Sequence, residues 1–108
     1  MKTADLHLHT RFSDGTFTPE EVANRARIHG LSAIALTDHD TVEGCGRMSA
    51  ACSRNEIEFI PGAELTADHS GTELHILGYF LDTESPNLLS ELSRFQAVRR
   101  DRIEEMVK

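Results

Sequence analysis

Apolar and polar residues alternate near the amino terminus of the chain. Two leucines there alternate with Asp5, His7 and His9. A period of two is typical of a strand with one buried face, because successive side chains of a strand point to opposite sides of the sheet. The pattern predicts a strand over 3–9 in which both histidines leave the same face.

The next segment carries the signals of a helix start and a helix end. Thr18 is a suitable N-cap, Pro19 suits the first helical position, and Glu21 completes a capping box. The helix is expected to continue over 22–29 and to stop at Gly30, since glycine commonly terminates helices.

A short apolar run and a second helical segment follow. Ala33 to Leu36 resembles a buried strand that ends in the polar loop 37–40. A helix is predicted over about 42–54, although Gly44 and Gly46 weaken its first turns.

The remainder predicts a third strand, a hairpin and a last helix. Glu58 to Ile60 is expected to be a strand that Pro61 and Gly62 break, and 63–67 and 73–81 are expected to pair as a hairpin. From Pro86 onward the spacing of apolar residues is helical. Alternating strands and helices predict an α/β fold with a parallel sheet.

Length and composition limit the classes of protein that the chain can represent. Its 108 residues allow one domain, and 39% apolar with 27% charged residues is ordinary for a soluble protein. The apolar run Ala33 to Leu36 is far too short for a membrane span, and the start of the chain lacks a secretory signal. A cytoplasmic location is therefore expected.

Net charge limits the possible binding partners, and cysteine spacing limits the possible disulfides. A formal charge of −7 argues against binding duplex nucleic acid, but it permits a small phosphorylated substrate where divalent cations reverse the local field. Cys45 and Cys52 lie seven residues apart in a predicted helix. That separation is about 10 Å along the helix axis, too long for a disulfide, so free thiols are expected.

The candidate chemistry follows the ends of the predicted strands. His7 and His9, the loop around His39, Glu64 and His75 all lie at such positions. In parallel α/β folds this edge of the sheet gathers ligands and catalytic groups. Imidazole and carboxylate together suit Zn, Mn, Fe or Ni and predict a polynuclear hydrolytic site.

Each candidate also has a purely structural interpretation. Lone histidines such as His29 and His69 are normally surface or structural residues, and we do not expect them to be ligands. The paired histidines of the first strand could form a polar outer face, Asp14 could be an ordinary turn residue, and Glu64 an exposed strand residue. The spacing leaves His75 either in the core or at the site.

Two further acidic residues flank His39. Asp38 and Asp40 are expected to support the metal ligands without touching the metal. The alternative is helix capping, since Asp40 or Thr41 precedes the predicted second helix.

Taken in order, five short motifs resemble those of the polymerase and histidinol phosphatase (PHP) superfamily. The motifs are His7-Leu8-His9, Ser13-Asp14-Gly15, Thr37-Asp38-His39-Asp40, Pro61-Gly62-Ala63-Glu64 and His75-Ile76-Leu77-Gly78-Tyr79. The resemblance implies part of a distorted (β/α)7 barrel, here cut after about four strands. It makes 1–108 the amino-terminal part of the domain, with the metal-site motifs in 1–81 and a helix over 86–108.

The resemblance also implies two to three divalent ions, Mn, Fe or Zn. The first ion would be held by His7, His9 and Glu64, the second by Glu64 and His75, and the third by Asp14 and His39. The superfamily's later ligands have no counterpart after His75, which leaves the activity of the 108-residue chain itself open. An unclosed barrel also exposes a sheet edge, so possible self-association is expected.

The last helix resembles the nucleotide-phosphatase branch of the superfamily. Arg99 and Arg102 precede Met106 in the pattern of that branch, and the resemblance implies that they bind a second phosphate of the substrate. The alternative is that both are solvent-exposed charges on the helix. The implied function is a hydrolase, a metal-dependent phosphoesterase that uses metal-activated water on small nucleotides such as nucleoside 3′,5′-bisphosphates or RNA ends.

An inert metal-binding fragment, a histidinol phosphatase and a polymerase-associated exonuclease are alternatives. An amidohydrolase acting on C–N bonds is disfavoured, because Lys2 and Lys108 are the only lysines available to bridge metals.

Overall fold

The structure is a computed structural model that describes residues 2–106, without the side chains of 68, 69 and 102–106. Strands and helices alternate until a hairpin and a long last helix. Their order is β1 (Ala4–Leu8), α1 (Pro19–Ile28), β2 (Ala33–Leu36), α2 (Cys45–Arg54), β3 (Glu58–His69), β4 (Thr72–Tyr79) and α3 (Pro86–Met106).

The strands form a single curled sheet in the order β1-β2-β3-β4. β1, β2 and β3 run parallel, and β4 returns antiparallel to β3. The curl brings the two outer strands towards each other, since the Tyr79 hydroxyl of β4 donates a 2.7 Å hydrogen bond to the Leu6 carbonyl of β1. This architecture confirms the predicted α/β fold and forms half of a barrel.

The core lies between the sheet and the two crossover helices. Ile34 and Leu36 of β2 are fully buried against Met48 of α2. Cys45 and Cys52 are also buried and free, as predicted. The other buried apolar residues of the two helices are Val22, Ala23, Ala26 and Ala51.

The two crossover helices start differently. In α1 the predicted capping box is confirmed, with the Glu21 N–H donating to Thr18 Oγ1 and the Thr18 N–H donating to Glu21 Oε1, both at 3.1 Å. The predicted start of α2 was about three residues too early. A turn in which the Cys45 N–H donates to the Val42 carbonyl precedes it, and Gly44 is an N-cap without a side-chain hydrogen bond.

The predicted break at Pro61 and Gly62 was wrong, because β3 continues through both residues. The strand changes partners there: Pro61 ends the parallel register opposite Leu36, and Gly62 begins the antiparallel register opposite Tyr79. A Cβ at Gly62 would lie 2.6 Å from the Gly78 carbonyl oxygen, so glycine permits the close approach of two strands. The two residues therefore mark a partner change within one strand.

The hairpin and the last helix complete the structure. The β3–β4 turn consists of Ser70 and Gly71, both with positive φ (53° and 82°), as a type I′ hairpin turn requires. The predicted last helix is α3, which buries Leu92. No helix among residues 2–106 is both long enough and apolar enough to cross a membrane.

Candidate metal centre

Glu64 lies at the centre of the candidate site, on β3, with a side chain only 7% exposed. Its Oε1 is 2.7 Å from His7 Nε2 and 3.0 Å from His9 Nε2. Its Oε2 is 2.5 Å from His75 Nδ1. Histidines from the first and last strands thus meet on opposite oxygens of one buried carboxylate.

A second group of contacts links the site to the loop that follows β1. Asp14 Oδ1 lies 2.6 Å from His9 Nδ1, and Asp14 Oδ2 lies 3.1 Å from His39 Nε2. The other ring nitrogen of His39 lies 3.8 Å from Glu64 Oε2 and has no hydrogen-bond partner. The structure therefore brings all six predicted metal ligands together.

These residues form three overlapping triads whose ligand atoms lie within 4.8 Å of one another. Glu64, His9 and His39 each belong to two of the triads. The triads are His7, His9 and Glu64; His9, Asp14 and His39; and His39, Glu64 and His75.

The backbone fixes His39 beside Glu64. The Glu64 N–H donates to the Asp38 carbonyl, and the Asp40 N–H donates to the Glu64 carbonyl, both at 3.0 Å. These two bonds extend the parallel pairing of β2 and β3 by an isolated bridge between His39 and Glu64. The pairing of the two strands thus carries both side chains into the same space.

Asp38 fixes the loop that carries Asp14. Its buried carboxylate accepts hydrogen bonds from the Thr10 N–H (2.6 Å), the Thr10 hydroxyl (2.7 Å) and the Ser13 hydroxyl (2.9 Å). It contacts none of the six candidate ligands directly in these bonds. This geometry is compatible with the supporting role expected for Asp38.

Asp40 holds the neighbouring strand and helix. Its Oδ1 accepts from the Thr66 N–H at 2.9 Å, and its carbonyl accepts from the Gln96 side chain of α3 at 2.7 Å. The alternative of helix capping by Asp40 is wrong, because its carboxylate bonds to β3 instead. Asp40 has a φ of 54° and its buried Oδ2 has no hydrogen-bond partner, with Arg99 Nη1 3.9 Å away.

The surrounding histidines determine the ionisation of both central carboxylates. Burial on its own raises the pKa of Glu64, but hydrogen bonds to His75 and His7 and the charge of His39 outweigh it and lower the pKa to about 2. Burial likewise raises the pKa of Asp14, and the contacts with His9 and His39 lower it overall. Both groups are anionic near neutral pH, as metal ligation requires.

The donor set fits divalent metal ions. The unpartnered His39 Nδ1 is buried and faces Glu64 Oε2 across 3.8 Å, beyond hydrogen-bonding distance. Two ligand atoms about 2.1 Å from one ion are about 3 to 4.2 Å apart, depending on the angle between them. A cation between these two atoms would satisfy a nitrogen that is otherwise buried without a partner.

The remaining predicted residues lie at the edge of the site or outside it. Arg99 and His39 line a cavity of about 340 Å³ together with Phe12, Ser13, Thr41, Glu43 and Gln96. The side chain of Arg102 lies outside the described part of the chain, as does that of His69. His29 is the C-cap of α1 and belongs to none of the triads.

Sequence reasoning missed the polar residues that hold the site together. Thr10 and Ser13 bind Asp38, Gln96 binds Asp40, and Tyr79 binds the strand that carries His7. A weak signal existed for Thr10 and Ser13, because both lie just before Asp14 in the same loop. None existed for Gln96, whose partner is 56 positions away in the sequence.

Comparison with known proteins supplies the family. The PHP domain model matches residues 5–106. The chain is 37% identical to the 3′,5′-nucleoside bisphosphate phosphatase of Chromobacterium violaceum over 98% of its own length and 37% of the relative's. It is 35% identical to a 5′-3′ exoribonuclease of Haemophilus influenzae over 97% of its own length and 38% of the relative's.

A solved structure shares the same fold. It is that of an amidohydrolase from Chromobacterium violaceum with bound sulfate and no metal, with a TM-score of 0.90 and 36% identity. The match covers 96% of this chain and 37% of that one. The chain thus spans little more than a third of the length of the relatives it matches. With nearly all of its residues matched by the family model and by relatives more than 30% identical, the chain belongs to the PHP domain family.

Proposed function

We propose that the chain forms the amino-terminal part of a metal-dependent phosphoesterase, a hydrolase of the PHP domain family. The observation that carries the proposal is Glu64, a buried anionic carboxylate whose two oxygens face histidines from three separate segments of the chain. A carboxylate in this position can bridge two ions, and polynuclear hydrolytic sites use that arrangement.

We assign the six residues of the triads as the metal ligands. When bound there, two to three divalent ions of Mn, Fe or Zn would polarise a phosphoryl oxygen and lower the pKa of a water molecule. Glu64 would offer both of its oxygens to the ions, and His7 approaches it from β1, His9 from just after β1, and His75 from β4. Asp14 and His39 complete the side of the site that faces the loop after β1.

His9 has contacts with both sides of the site. Its Nε2 faces Glu64 and its Nδ1 faces Asp14. A histidine that binds a metal through one nitrogen commonly donates the N–H of the other to a carboxylate, which fixes its tautomer and orientation. Asp14 therefore both orients His9 and offers its second oxygen on the His39 side.

The substrate we propose is a small phosphorylated nucleotide, such as a nucleoside 3′,5′-bisphosphate, or the end of an RNA chain. The names of the two relatives support this class, and the solved structure of the same fold contains bound sulfate, a tetrahedral anion like phosphate. Arg99 lines the 340 Å³ cavity together with His39, and this position supports our proposal that it binds a second phosphate. We propose the same role for Arg102 from the sequence pattern.

Two alternatives follow from particular observations. The chain spans 37% of the length of the bisphosphatase relative, so by itself it could be a metal-binding part without activity. The solved structure carries the name of an amidohydrolase, which keeps C–N bond hydrolysis as a second candidate chemistry.

Metal content tests the site. We expect two or more equivalents of Mn, Fe or Zn in the purified chain, measured by inductively coupled plasma mass spectrometry. Glu64→Gln should lose more metal than Asp14→Asn, because Glu64 belongs to two triads and Asp14 to one. Glu84→Gln, the same change at an exposed position outside the triads, is the matched control and should keep its metal.

The outcomes separate the alternatives. Metal-free wild-type protein, or equal loss in Glu64→Gln and the control, would contradict the proposed site. Metal-loaded protein is then assayed with Mn on a nucleoside 3′,5′-bisphosphate, 5′-phosphorylated RNA, histidinol phosphate and an amide substrate. Release of phosphate or nucleotide from the bisphosphate or the RNA supports the proposal. Turnover of histidinol phosphate or of the amide alone favours the corresponding alternative, and metal binding without any turnover favours the inert fragment.

A further inference from the structure

The peptide that joins Leu6 to His7 lies in an irregular part of β1. In the β1–β2 register, Asp5 pairs with Ile34 and Leu8 pairs with Leu36. β1 therefore advances three residues while β2 advances two, which is the geometry of a β-bulge. Bulges next to functional sites commonly re-aim a side chain, and His7 lies within this one.

Both polar groups of this peptide are bound by side chains. Its carbonyl, that of Leu6, accepts a 2.7 Å hydrogen bond from the Tyr79 hydroxyl. Its N–H, that of His7, donates at 3.1 Å to Asp5 Oδ1. The plane of a peptide is rigid, so two bonds at its opposite ends fix the direction in which the His7 side chain leaves the strand.

His7 depends on such support more than the other ligands near Glu64. Its side chain is 53% exposed, against 45% for His75, 18% for His9 and 8% for His39. Packing therefore restricts His7 least. Tyr79 lies on β4, the opposite edge of the sheet, so its hydrogen bond also sets the distance between the strands of His7 and His75.

From this geometry we infer that Tyr79, together with Asp5, is a positioning residue that orients His7 towards Glu64. Neither side chain belongs to the triads, and each acts only through the Leu6–His7 peptide. The link to metal binding rests on the proposed function. The orientation of His7 itself does not rest on it, because His7 Nε2 and Glu64 Oε1 contact each other directly at 2.7 Å.

The first arm of the test is carried out on metal-free protein. Imidazole ¹⁵N spectra are recorded for wild type, Tyr79→Phe and Asp5→Ala, with the His7 signals assigned from His7→Ala. We expect both variants to shift the His7 signals more than those of His75, although His75 shares β4 with Tyr79. Thr72→Val, which removes an exposed hydroxyl from the far end of β4, should leave His7 unchanged.

The second arm measures Zn²⁺ affinity by competition with a chromophoric chelator. Tyr79→Phe should raise the Kd by about 10- to 100-fold, as is usual when a group that orients a ligand is removed. In a His7→Ala background the same change should alter the Kd by less than about 2-fold, because both variants act on one interaction. A residue that merely stabilised the fold would weaken binding equally in both backgrounds.

The two arms keep the outcomes distinct. If wild-type protein binds no Zn²⁺, the proposed function fails and the ¹⁵N spectra alone decide the role of Tyr79. An unchanged His7 signal in Tyr79→Phe, or equal shifts at His7 and His75, would overturn the inference. An undiminished effect of Tyr79→Phe on Kd in the His7→Ala background would overturn it as well.

Discussion

The most demanding stability prediction concerns Asp38, a residue that is 1% exposed. Asp38→Ala removes the acceptor of three hydrogen bonds, from the Thr10 N–H, the Thr10 hydroxyl and the Ser13 hydroxyl. Thr10 is fully buried, so its N–H loses its partner without access to water. Hydrogen bonds to a charged group contribute about 1.5–3 kcal/mol each, and a buried unsatisfied donor costs about 1–3 kcal/mol.

The full contributions of the three hydrogen bonds are not all lost, because the Ser13 hydroxyl can turn towards solvent once the Asp38 carboxylate is removed. We therefore expect Asp38→Ala to lower the free energy of unfolding by about 3–5 kcal/mol. Asp38→Asn keeps one acceptor oxygen for the Thr10 N–H and Ser13, and the Thr10 hydroxyl can accept from the new amide. The isosteric change loses the charge and leaves the buried Thr10 hydroxyl hydrogen without its acceptor. It should lower the free energy of unfolding by about 1–2 kcal/mol, less than Asp38→Ala.

Urea unfolding followed by circular dichroism measures both values. Asp101→Asn, at an exposed position of α3, is the matched control and should change the free energy of unfolding by less than about 0.5 kcal/mol. A loss below about 1 kcal/mol for Asp38→Ala, or equal losses for Ala and Asn, would refute the argument from buried hydrogen bonds. A change in the urea m-value would instead indicate a change in the compactness of the unfolded or folded state, or a loss of two-state unfolding.

Two further predictions follow from the backbone and the core. Gly15→Ala would place a Cβ 2.5 Å from the His9 carbonyl oxygen and should destabilise the chain by about 2 kcal/mol or more in thermal unfolding. Gly46→Ala meets open space in α2 and should stabilise the chain by about 0.5–1 kcal/mol. Equal effects at the two positions would contradict this difference. Burial raises the pKa of both thiols, Cys45 and Cys52, to about 11, so only about a thousandth of each is thiolate at pH 8. Iodoacetamide should therefore alkylate the native protein about 100-fold more slowly than the protein in urea, and the native rate should rise about tenfold per pH unit up to pH 10. Equal rates for native and denatured protein would contradict the burial of the thiols.

Local sequence was enough to predict most of the elements. The alternation around His7 and His9 predicted β1, and the capping box of Thr18 and Glu21 placed the start of α1. These signals are reliable because strand alternation and helix capping depend on residues close in sequence. The failures were local rules that tertiary contacts overrode. Pro61 was expected to break a strand, but β3 continues there by exchanging β2 for β4 as its partner.

The residue types and motif order in the sequence also determined which side chains could bind metal and which family the chain resembles. Only the tertiary structure decided how these side chains meet. Glu64 faces His7 across 57 positions of sequence, Tyr79 reaches the bulge at Leu6 across 73, and Asp38 binds Thr10 across 28. Such contacts arise from the order and curl of the strands, which depend on the packing of the whole sheet and which no single segment encodes.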